Sequence, residues 1–193
     1  MNKENLALVF FVALFIFSIS MLVIGGSQLT GHATSGSTVS NVTIVSYLSI
    51  SMSQNLSSGI LFGSVDTLPA TDINATHNYD GPTSGTSMNI TVSTDSNVNV
   101  DFCTKANAGM QTSGSDIIGI GNETYSNATT VSSTVPALGS QVPLTASYVK
   151  SGFNVTRGGN NYYRFWLDIP AAQAPGTYNN TVSFEGLTTG GAC

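Results

Sequence analysis

The stretch "YYRFWLDI", Tyr162–Ile169, decides the fold class. Tyr163, Phe165, Leu167 and Ile169 share one parity, and Tyr162, Arg164 and Trp166 share the other. A period of two sends these sets to opposite faces of an extended strand, with the first set turned to a core. The same rhythm recurs along the chain. Val42, Ile44, Leu48, Ile50 and Met52 alternate from residue 42 to 52 with one lapse at Ser46. "SMNITVS" alternates Met88, Ile90 and Val92, and "NVNVDF" alternates Val98, Val100 and Phe102. "PLTASYVK" gives Leu144, Ala146 and Tyr148, and "TYNNTVSFE" gives Tyr178, Val182 and Phe184. "GILFGSV" (59–65) is apolar on both faces and reads as a buried strand. Between these runs lie turn-forming clusters such as "YDGPTSG", "ANAGMQTSG" and "PAAQAPG". Many short strands with such punctuation predict an all-β, antiparallel, immunoglobulin-like β-sandwich over residues 42–193.

Helical character is confined to the start of the chain. After Lys3 and Glu4, Leu6 to Gly26 contains no charged residue, long enough for a membrane-spanning helix. A cleaved signal peptide has a similar pattern, and small residues around "TGHATSG" offer a cut after Ala33. Residues 1–33 are therefore read as a signal peptide or a membrane anchor, and either one sends the rest of the chain out of the cytoplasm. The expected location is extracellular or at the cell surface, with the membrane as partner if the leader is retained. Residues 34–41, polar and rich in Ser, Thr and Gly, read as a flexible tether.

The net charge is −5 and charged residues make up only 8% of the chain. Five Lys and Arg leave no basic patch to neutralise phosphates, which argues against a nucleic-acid partner. About a quarter of the residues are Ser or Thr, yet the aromatic and β-branched residues are patterned, as in a chain that folds.

Eight Asn-X-Ser/Thr triplets occur, at Asn41, Asn55, Asn74, Asn89, Asn122, Asn127, Asn154 and Asn179. The pattern sets Asn41, Asn89, Asn154 and Asn179 opposite the apolar face of their strands and the other four in loops, so each is a candidate for N-glycosylation. The two cysteines, Cys103 and the terminal Cys193, most simply pair with each other in an exported domain. The bond would pin a Gly/Thr-rich tail that has little to bury. Cys103 has the parity of Asn97, Asn99 and Asp101, which predicts a bridge outside the core. The alternative is a link between subunits through Cys193.

Catalytic constellations are not found in the sequence. His77 has no metal-ligand spacing around it and His32 lies beside the cut site. Asp66, Asp72 and Asp80 share a loop-rich segment, where solvated acids are the simpler reading than a calcium site. No Gly-X-Ser-X-Gly elbow accompanies the serines. No enzyme, cofactor or metal is expected. The outer face of "YYRFWLDI" carries Tyr162, Arg164 and Trp166, residue types enriched where proteins grip partners. The competing reading packs Trp166 under a loop or across from Arg164.

"IPAAQAPGTYNNTVSFEG" (169–186) resembles the last two strands of secreted fibre-forming sandwiches, and "YLSISMSQNLSSGILFG" (47–63) resembles the first strands of TasA/camelysin-type surface fibre subunits. The order of leader, tether and sandwich is similar too. Camelysins are classed as peptidases, but no metal-binding motif stands in this sequence to carry that activity over. The terminal Cys and dense triplets are closer to an archaeal-style surface protein. The resemblance implies assembly by strand donation, with a segment near Ser37 to Ile44 completing a neighbour's sheet; the competing reading makes Val42 to Met52 the domain's own first strand. The expected function is a non-catalytic structural or adhesive surface subunit that self-associates into filaments. The alternative is a monomeric anchored domain binding a glycan or protein, with a secreted hydrolase as a remote third reading.

Overall fold

The computed structural model describes residues 8–18 and 38–193. Most of the leader, the cut site after Ala33, His32 and the first part of the tether lie outside the described residues. The chain divides into two compact units, Met1–Thr43 and Ile44–Cys193. In the first, residues 8–18 are helical, with Phe11 and Phe15 about 70% exposed. Among the described residues no helix is long and apolar enough to cross a membrane.

The second unit is mostly β, and all of its ladders are antiparallel. The strands are β1 (Ile50–Met52), β2 (Ala70–Asn74), β3 (Asn89–Val92), β4 (Val100–Ala106), β5 (Met110–Gln111) and β6 (Ile117–Ile118). They continue as β7 (Glu123–Ala128), β8 (Val142–Pro143), β9 (Val149–Val155), β10 (Asn160–Ile169) and β11 (Val182–Thr188). One six-stranded sheet runs β1-β3-β10-β7-β8, with β2 also on β10, and a three-stranded sheet runs β11-β4-β9. β5 and β6 form a separate hairpin.

The quoted stretch is the centre of this arrangement. Tyr163 and Phe165 on β10 are fully buried and join Ile90 and Val92 of β3 with Val100, Phe102 and Ala106 of β4 in one core. Phe184 of β11 meets Tyr163 edge-on at 5.2 Å between ring centroids, so aromatic contact ties the two larger sheets together. Gly186 on β11 faces Ile50 so closely that a Cβ would sit 3.2 Å from two of its side-chain carbons.

β10 is paired along both sides. β7 covers one side from Tyr162 to Leu167. On the other, β3 pairs with Asn160–Tyr162 and β2 begins at Trp166. The gap is closed by Asn78, whose Oδ1 accepts from Phe165 N at 3.0 Å while its Nδ2 donates to Phe165 O at 2.7 Å. A buried backbone amide must be paired, and here a side-chain amide stands in for a strand.

Several expected strands are absent. Only Ile50–Met52 of the 42–52 run is a strand, because its partner β3 ends at Val92 and offers no further ladder. Residues 45–49 are held by two backbone bonds, Ser93 N to Ser49 O and Asn97 N to Tyr47 O, and by side chains. Ser96 Oγ accepts from Ser49 N and donates to Ser49 O, and Asn97 Oδ1 accepts from Tyr47 N while its Nδ2 donates to Val45 O. "GILFGSV" is irregular: Gly59 and Gly63 take φ of +113° and +72°, which no extended strand tolerates. "PLTASYVK" splits into the end of β8 and the start of β9, although Leu144 is buried as expected.

Candidate functional site

On the outer face of β10, Arg164 is 1% exposed and Trp166 is fully buried, so neither offers solvent the side chain expected to grip a partner, while Tyr162 is half-buried. Arg164 donates from Nε to Asn78 O, from Nη1 to Pro136 O, and from Nη2 to Ser132 O and Ser133 O, at 2.7–3.3 Å. Its guanidinium also lies 4.2 Å from the centre of the Tyr79 ring. A planar fork of donors suits a cluster of loop carbonyls, and burial pushes the Arg164 pKa down. Arg164 thus fastens the 132–136 loop over the sheet.

A second polar cluster pins the C-terminus. Cys103 and Cys193 are bonded, with Cα atoms 5.8 Å apart. Cys103 faces away from Val100, Phe102 and Ala106, yet it is 0% exposed rather than open to solvent. The returning tail covers that face. Asp101, on the same parity, accepts from Gly190 N at 3.0 Å, Asn154 N at 2.7 Å and Lys150 Nζ at 2.9 Å. Lys150 Nζ also donates to Gly191 O at 3.0 Å. Burial opposes the Asp101 charge, but the backbone amides of Asn154 and Gly190 and the Lys150 ammonium outweigh it, leaving the pKa at about 2. Glu123 is the opposite case: burial raises its pKa against one hydrogen bond from Asn180 Nδ2. No sequence signal links Asp101 to Lys150 or Asn78 to Phe165, because their partners lie 49 and 87 residues away.

The sequence places four of the glycosylation triplets in loops, but Asn74 ends β2, Asn127 lies in β7, Asn55 is in the short helix Gln54–Ser57 and Asn122 closes a 3-10 turn. Of the four expected on outer strand faces, Asn41, Asn154 and Asn179 are exposed and Asn89 is half-buried.

The acids of the 66–80 segment engage separate partners. Asp66 accepts from Thr67 Oγ1 and Asp72 from Gln141 Nε2, while Asp80 meets His77 Nδ1 and Ser87 Oγ. No group of three His, Cys, Asp or Glu side chains converges among the described residues.

Two features remain unpaired among the described residues. Residues 38–44 make no hydrogen bond to described residues, and Val39, Val42 and Ile44 are 92%, 85% and 81% exposed. Within the second unit, an open groove of about 820 Å³ lies where the core-facing row of β10 runs out, lined by Ile60, Phe62, Leu68, Ile118, Leu167 and Ile169 among others. Its far wall is the 173–178 segment.

The chain matches no protein-family model, no curated protein and no solved structure. The likeness to fibre subunits rests on the quoted residues alone.

Proposed function

We propose that this chain is a non-catalytic cell-surface subunit, structural or adhesive, built on an immunoglobulin-like β-sandwich and assembled by strand donation. The observation that carries the reading is the segment 38–44, with three strand-forming apolar side chains in water and no ladder partner among the described residues. Leaving such a segment exposed forfeits roughly 1.5–3 kcal/mol for each large side chain that a neighbour could bury. Edge pairing adds main-chain hydrogen bonds, with alternate side chains seated in pockets. The apolar groove beside Ile169 and the free edge of β11 are receiving surfaces of suitable chemistry. The enclosed Arg164 and Trp166 weigh against the anchored binding domain, whose grip relied on them.

Electron microscopy of the exported portion over a concentration series tests the reading. Filaments should lengthen with concentration. Deleting Thr34 to Ser40, or introducing Val42→Asp with Ile44→Asp, should abolish them while thermal unfolding stays unchanged. A wild-type protein that remains monomeric at all concentrations, or variants that polymerise normally, would refute it.

A further inference from the structure

The eight glycosylation triplets divide into two groups of four in the folded chain. The motif needs two reachable groups, the Asn amide nitrogen and the hydroxyl two residues on. In Asn41/Thr43, Asn74/Thr76, Asn154/Thr156 and Asn179/Thr181 both residues are exposed. In the remaining four the asparagine is half-buried, and in three of those its Nδ2 is already in use. Asn55 Nδ2 donates to Ser87 Oγ at 2.8 Å and Asn127 Nδ2 to Asn161 Oδ1 at 3.2 Å. Asn89 Nδ2 donates to Asn160 Oδ1 at 2.9 Å and to Thr91 Oγ1, the hydroxyl of its own triplet, at 3.2 Å. Asn74 and Asn154 differ: each uses its Oδ1 as an acceptor, from Asn78 and Asn99, and leaves Nδ2 without a partner among the described residues.

We infer that Asn41, Asn74, Asn154 and Asn179 carry N-linked glycans in the mature protein and that Asn55, Asn89, Asn122 and Asn127 remain bare. The co-reactant is an oligosaccharide linked through phosphate or pyrophosphate to a polyprenyl lipid. Nδ2 forms a bond to the anomeric carbon as the bond from that carbon to the phosphate oxygen breaks. The lipid phosphate leaves with the electron pair, and Nδ2 gives up one proton to the transferase. A glycan on Asn154 would stand on β9, an outer strand of the three-stranded sheet, and shield its edge from pairing. That would leave β11 as the unshielded edge of the same sheet, a direction for assembly. The glycan assignment itself does not depend on assembly.

Glycopeptide mapping and intact mass of the full chain isolated from its native host test this. Glycans are expected at the four named positions and nowhere else. The combined Asn41→Gln, Asn74→Gln, Asn154→Gln and Asn179→Gln variant should return to the bare polypeptide mass. Asn89→Gln with Asn127→Gln should leave the set of glycan masses unchanged. A glycan at Asn55, Asn89, Asn122 or Asn127, or a mature chain with no added mass, would overturn the assignment.

Discussion

Replacing Asp101 by Asn removes the charge that holds the tail while keeping the size of the side chain. Asp101 is 3% exposed, and its carboxylate accepts from Asn154 N, Gly190 N and Lys150 Nζ and has its pKa lowered to about 2 from 3.8. A depressed folded-state pKa stabilises the native state above the unfolded pKa, and that stability is lost as pH falls toward the folded value. The full difference corresponds to about 2.4 kcal/mol. Lys150 is 27% exposed, so solvent screening reduces the charge contribution to about 1–2 kcal/mol. For a domain of this size that is a fall in Tm of about 2–8 °C at pH 7. Urea titrations of wild type and Asp101→Asn at pH 7 and pH 2 are the assay. The gap between them should close to a few tenths of a kcal/mol, about the residue of the linkage, at pH 2. A gap of equal size at both pH values, or none at pH 7, would refute the assignment of the clamp to the Asp101 charge.

The disulfide and the buried arginine give two further tests. Cys193→Ser opens a bond spanning 90 residues, and the chain-entropy relation sets an upper figure of about 4–5 kcal/mol for the loss. Residues after Thr188 should become protease-sensitive, and non-reducing peptide maps of the wild type should recover the Cys103–Cys193 pair; free thiols, or a dimer that collapses on reduction, would count against it. Arg164→Met strips the carbonyls of Asn78, Ser132, Ser133 and Pro136 of their donor and should cost about 3 kcal/mol or more, read as a lower urea midpoint and cleavage within 131–137. An unchanged midpoint would mean that Arg164 does not fasten that loop.

The parts of the fold legible in the sequence are those whose strands have one clean apolar face. In β3 alternation and burial agree, with Ile90 and Val92 buried between half-buried Asn89 and Thr91, and the core row Tyr163, Phe165 and Leu167 of β10 is buried as the pattern expects. Trp166 and Arg164 break the rule because loops cover the second face as well, and a period of two cannot report what lies above a strand. β9 was hidden by its partner. Its ladder with β4 shifts register on either side of Phe102, which leaves Phe153 68% exposed although it shares parity with the buried Ser151 and Val155. Gly152 sits where a Cβ would come within 2.7 Å of Asn161 Nδ2, a close approach that a lone Gly in sequence does not announce. β2 and β7 read as loops because Thr, Asp, Ser and Asn fill them, and long-range pairing with β10 overrides that composition. The candidate site was legible in its parts, the triplets, the cysteines and the 37–44 run, but not in its exposure.

Beside the few charges that fasten a loop, Arg164 and the Asp101–Lys150 pair, the domain uses asparagine. Asn78 substitutes for a strand beside Phe165, Asn161 Nδ2 donates to Ser151 O, Asn180 Nδ2 reaches Glu123, and Asn97 captures Tyr47 and Val45. Amide hydrogen bonds neither titrate nor weaken as ion pairs do when salt rises, so this network should hold across pH and ionic strength. The same residues explain where the order imposed by the domain stops. Asn97 Nδ2 takes the carbonyl of Val45, and no side chain of the domain takes a backbone group of residues 38–44. Val42 and Ile44 therefore keep a strand pattern without a strand, and no ladder among the described residues takes them up. A tether meant only to span distance would not need β-branched apolar residues at that spacing; Gly and Ser would serve. Their presence supports the proposed donation of this segment to a neighbour.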